Sequence, residues 1–95
     1  MKFAFLIMGD FCLSDDFAKI HNGDAEIIGV SSIDEAAQTA CRLQKEGVDC
    51  IELCGAFGED GARKIIKATG NKLPVGYVTH LPEQDGVYRK TFGVQ

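Results

Sequence analysis

A chain of 95 residues and 10.3 kDa has room for one domain, taken here as residues 1–95. Its 14 acidic and 10 basic residues leave a net charge of −4 and a pI of about 5.0, which argues against nucleic acid or an anionic membrane as a partner. Ile, Leu, Val and Phe make up about 27% of the chain, above the roughly 20% below which chains stay disordered, so disordered tails and collagen or coiled-coil rods are excluded.

Residues 2–8 form a continuous apolar run, which predicts a strand covered on both faces. The run is too short to span a membrane, and Gly9-Asp10 ends it without a small-residue cleavage site. Residues 14–20 are read as a short helix, with Ser14 as N-cap and Asn22-Gly23 as the stop. Residues 25–30 predict a second strand. Ser32 and Glu35 then form a capping box ahead of an apolar stripe through Ile33, Ala36, Ala37, Ala40, Cys41 and Leu43. Gly47 ends that helix.

Residues 49–54 predict a third strand, and residues 59–69 a helix with the stripe Ala62, Ile65, Ile66 and Thr69, stopped by Gly70-Asn71. Pro74 opens a fourth strand over residues 75–79, where a leading proline is tolerated. Residues 81–92 predict a terminal helix with Pro82 in its first turn, weakened by Gly86. The order β(α)βαβαβ(α) defines an α/β fold with a four-stranded, mainly parallel sheet and helices on one or both faces.

The four cysteines, Cys12, Cys41, Cys50 and Cys54, contain no Cys-x-x-Cys pair and no histidine at finger spacing. Cys50 and Cys54 lie about 13 Å apart along a strand, too far to share a disulfide or a metal. No metal site is expected and no cofactor is implied. With no export signal, the thiols are expected to be reduced, in a cytoplasmic setting. Cys41 reads as core, while Cys12 and Cys54 fall near the sheet's carboxyl edge, as small hydrophobes or as reactive thiols.

Ligands of open parallel sheets collect at that carboxyl edge, where loops and helix N-termini converge. The edge gathers Asp10, Cys54, Gly55, Phe57, Gly58, Thr79 and His80. The glycine-rich residues 55–61 are either a tight strand-to-helix turn or a cradle of backbone N–H donors; Glu59 and Asp60 in the first helical turn oppose a phosphate there. Glu52 sits in the middle of a strand that otherwise reads as buried. Its carboxylate needs a partner such as Arg63 or Arg89, a pocket, or an interface. His80 is either a structural hydrogen-bonding group or one half of an acid–base pair with Asp10. Asp10, Glu52, Cys54, Gly55, Phe57, Gly58, Thr79 and His80 are therefore the candidate binding residues for a small polar ligand; the pattern assigns no reaction.

CIELCGAFGEDGARKI (residues 50–65) and PVGYVTHLPEQD (residues 74–85), with residues 1–10, resemble a family of small bacterial proteins known only as a domain of unknown function. The resemblance covers most of the chain. It implies a compact α/β fold in a bacterial cytoplasm and carries over no activity or catalytic residue. Residues 47–53 are also similar to the βα units of (βα)₈ barrels, but 95 residues are too few for such a barrel.

Strand order bears on the partner. Sequential strands would put every helix on one face and require another subunit on the other. The order 2-1-3-4 would allow helices on both faces and a monomer. The thin core points toward a homo-oligomer. Two readings follow: a small-molecule-binding domain using the carboxyl edge, or a structural or regulatory module acting through self-association or a protein partner.

Overall fold

The computed structural model describes residues 1–93, which hold a five-stranded sheet in the order β2-β3-β1-β4-β5. Strands β1 (Phe3–Met8), β3 (Ala25–Val30), β4 (Cys50–Leu53) and β5 (Val75–Tyr77) run parallel. The fold is α/β with a largely parallel sheet, as the sequence predicts, but residues 14–20 are not a helix. Phe17–Ile20 form β2, an antiparallel edge strand that pairs Phe17 with Ile28 and Ile20 with Ala25. Seven residues are too few to nucleate a helix without strong packing. Asn22 takes a left-handed conformation (φ 56°) in the link from β2 to β3, so Asn22-Gly23 turns a hairpin instead of stopping a helix.

Helix α1 (Ile33–Lys45) starts as the capping pattern predicts. Ser32 Oγ accepts from Glu35 N at 3.0 Å, while Glu35 Oε1 accepts from Ser31 N at 2.8 Å, one residue earlier than in the standard box. Helix α2 (Gly58–Ala68) follows a single 3₁₀ turn at Gly55–Phe57. The two helices lie side by side, tied where Cys41 Sγ donates to Ala68 O and Gln44 Nε2 donates to Thr69 O. Cys41 is thus half-buried at a helix seam and is not among the core residues.

The core lies between these helices and one face of the sheet. Ala4 and Leu6 of β1, Ile28 and Val30 of β3, and Ile51 and Leu53 of β4 meet Ala36, Ala40, Leu43, Ala62, Ile65 and Phe57. Alternation puts the intervening strand residues on the opposite face. There Phe3 is 40% exposed, Phe5 44% and Ile27 43%. No described helix covers that face. Helix α3 (Asp85–Phe92) stands at the carboxyl edge and has no buried residue. Among the described residues, no helix is long and apolar enough to cross a membrane.

The four predicted strands thus take the order 2-1-3-4, yet the second helical layer expected with that order is missing. Connections β3–α1–β4 and β4–α2–β5 step in the same direction across the sheet, so right-handed crossovers place both helices on one face. The step from β1 back to β3 would carry a helix on the other face. That connection contains β2 instead, which lies in the plane of the sheet.

Candidate functional site

Two concavities hold six of the eight candidate residues. The larger, about 700 Å³, opens at the carboxyl edge between the residues after β4, the residues after β5 and α3. Cys54, Gly55, Ala56 and Gly58 form one wall; Tyr77, Val78, Thr79 and His80 form the second; Tyr88 and Phe92 of α3 close the third. Its volume lies within the range usual for small-molecule sites, and its walls combine aromatic faces with a few polar groups.

His80 is fixed twice. Its Nε2 lies 2.7 Å from Asp85 Oδ1, and its ring stacks on Tyr88 with centroids 3.8 Å apart and planes 12° from parallel. Tyr88 in turn stacks on Phe92 at 5.6 Å. With Nε2 engaged by the Asp85 carboxylate, Nδ1 is the remaining polar atom of the ring, and the stack fixes the plane of the ring. The arrangement offers one oriented imidazole nitrogen beside a hydroxyl, Thr79, and a ladder of aromatic rings.

The smaller concavity, about 250 Å³, is a depression in the bare sheet face among Phe5, Ile20, Ile27, Glu52, Cys54 and Val78. Glu52 is half-buried there. Arg63 instead pairs with Glu59 on the outer surface of α2, so it is not the partner of Glu52. Glu52 Oε1 accepts instead from Cys50 Sγ at 3.7 Å. Burial first, then the negative charge and hydrogen bond of Glu52, push the Cys50 thiol above its ordinary pKa. The Glu52 carboxylate also lies over Gly76. A Cβ at that position would meet Glu52 Oε1 at 2.7 Å, so glycine there makes room for the acid.

A family model matches residues 1–93, nearly the whole chain. The chain belongs to DUF6506, a family of unknown function. No curated protein and no solved structure matches it.

In this DUF6506 chain the eight candidate residues fall into separate places. Cys54, Gly55, Gly58, Thr79 and His80 line the edge cleft. Glu52 lines the sheet-face depression, with Cys54 shared between the two concavities. Phe57 lies in the core, where its Cβ packs 3.0 Å from the position of a Cβ on Gly61. Asp10 is exposed in the loop after β1 and lines neither concavity. It does not meet His80, because β4 separates β1 from β5. Asp85 takes that place. Sequence reasoning missed Asp85, Tyr88 and Phe92. Their signals were present: an acid five residues after the histidine, and two aromatics four apart on one helix face.

The cysteines are free; Cys12 is exposed, and Cys54 Sγ accepts from the backbone N–H of Met8 at 3.2 Å. No group of three metal-ligating side chains occurs among the described residues.

Proposed function

We propose that the chain is a small-molecule-binding protein whose site is the carboxyl-edge cleft. The ligand class is a planar, largely apolar molecule with one polar group. Its ring would lie against Tyr88 and Tyr77, and its polar group would meet His80 Nδ1 and Thr79 Oγ1.

The observation that carries the reading is the doubly fixed His80. The Asp85 contact and the Tyr88 stack tie α3 to the residues after β5 and at the same time hold the imidazole in one orientation at the cleft, which is what a binding site needs. The cleft volume and the aromatic wall support the same reading.

Backbone amide NMR titration with a set of planar aromatic acids and amides tests it. Members of the set are expected to shift Gly55, Thr79, His80 and Tyr88 together. His80→Ala and Tyr88→Ala should each weaken the best binder at least tenfold. Shifts that cluster outside the cleft, or none at millimolar concentration, would overturn the reading.

A further inference from the structure

We propose that the bare sheet face is the contact surface between two copies of this chain. The proposal is independent of the ligand reading, since the face and the edge cleft are separate concavities that share only Cys54 and Val78.

A row of side chains crosses all five strands on this face, from Ala18 through Ile27, Phe5 and Glu52 to Gly76. A second row runs Ile20, Ala25, Phe3 and Cys50. The strand pattern is that of a buried strand in β1, whose alternate residues are apolar on both sides. Only one of those sides is covered within a single copy.

The area fits a second copy. Strands of 6, 4, 6, 4 and 3 residues, at about 3.3 Å per residue and about 4.8 Å spacing, present roughly 360 Å² in projection. The accessible area of a side-chain surface exceeds its projection. With the relief of Phe3, Phe5, Ile27 and Ile20, which are 40%, 44%, 43% and 67% exposed, the face suits an interface at the small end of the specific range, below the ~800 Å² per partner of a standard one. Two such faces packed about 10 Å apart make one shared core between two helical layers, the usual way a sheet with one bare side is completed.

Relief and charge point the same way. Large side chains on β1 and β3 stand beside small ones at Ala18, Ala25 and Gly76, so a two-fold pairing can set the ridge of one copy into the hollow of the other. No Lys or Arg lines the depression, which gives an anionic membrane or a nucleic acid nothing to hold. Two acids line the depression; Glu26 is in register with Ala4, whose side chain is on the helix side, and Glu52 is displaced toward β5. An axis between Phe5 and Ile27 would keep the two Glu52 carboxylates about 14 Å apart at the usual strand spacing, so they do not oppose each other.

Sedimentation equilibrium of the full chain from 1 to 100 µM tests the proposal, alongside Phe5→Asp, Ile27→Asp and the helix-side control Lys64→Asp. A dimer is expected for the parent chain and the control. Each face variant should weaken it at least a hundredfold, because each puts a carboxylate at the centre of the contact. Far-UV circular dichroism checks that the variants fold, as expected for positions already more than two-fifths exposed. A parent chain that stays monomeric, or a dimer that survives both folded face variants, overturns the proposal.

Discussion

Gly29 stands on β3 with Phe11 folded across it. A Cβ at Gly29 would lie 2.6 Å from Cγ and 2.7 Å from Cβ of Phe11. Those atoms are close to the Phe11 backbone, so rotating the ring away does not relieve the clash; the residue must move. Phe11 is half-buried. Losing that burial exposes about 100 Å² of an aromatic side chain, or about 2.5 kcal/mol at the usual area coefficient. Replacing a strand glycine by alanine returns about 0.5–1 kcal/mol of backbone entropy. Gly29→Ala should therefore destabilise the fold by about 1.5–2 kcal/mol, which for a chain of this size lowers Tm by roughly 10 °C. Urea denaturation reads the change directly. Combining the substitution with Phe11→Ala isolates its cause: in that background Gly29→Ala should be neutral or slightly stabilising. An equal cost in both backgrounds would refute the argument.

Leu43→Ala, which empties a fully buried site between α1 and the sheet, should cost about 2–5 kcal/mol in the same urea assay. Ser32→Ala removes the cap on Glu35 N and should cost about 1 kcal/mol. Cys50 should alkylate more slowly than exposed Cys12 at pH 8.5, and Glu52→Gln should narrow the gap by removing the charge that raises the thiol. The folded Cys50 thiol keeps its proton to higher pH than the unfolded one. Stability should therefore fall as pH rises through the ordinary thiol range, and Cys50→Ala should flatten that fall in alkaline urea titrations. Truncation after Gln84 removes a helix without buried residues, so Tm should change by no more than a few degrees, while any ligand of the edge cleft is lost.

The elements legible in the sequence are those whose signals are local and redundant. Helix α1 has a cap, a stripe and a stop that agree, and Ser32, Glu35 and Leu43 sit where those signals put them. Helix α2 and the parallel strands read equally well. Residues 14–20 failed because one short segment carried signals for two structures. Ser14 and Asn22-Gly23 bracket a helix as readily as Asn22-Gly23 turns a hairpin, and only pairing with β3 decides. Glu52 was recognisable as unusual from its place in an apolar strand. Its partner was not, because an ion pair with Arg63 and a position over Gly76 look alike along the chain. His80 was legible as a polar group at a strand end. The acid it meets depended on strand order: β4 keeps Asp10 away, and the turn at Pro82–Gln84 brings Asp85 near.

A single substitution of structure, strand for helix in the link from β1 to β3, accounts for the bare sheet face. A helix in that link would have crossed behind β1 and β3 and covered Phe3, Phe5 and Ile27, leaving Glu52 beneath a second layer. With β2 there instead, the sheet gains an edge strand and one face keeps its apolar rows in the open. Helices α1 and α2 pack on the opposite face whatever that link holds, because their own crossovers place them there. Helix α3 stands at the carboxyl edge, where Tyr88 and Phe92 wall the cleft around His80. The bare face thus follows from the β1–β3 link, and the cleft from the separate placement of α3 after β5. Filling the face with a second copy and the cleft with a planar ligand would complete the two kinds of burial that 95 residues leave unfinished.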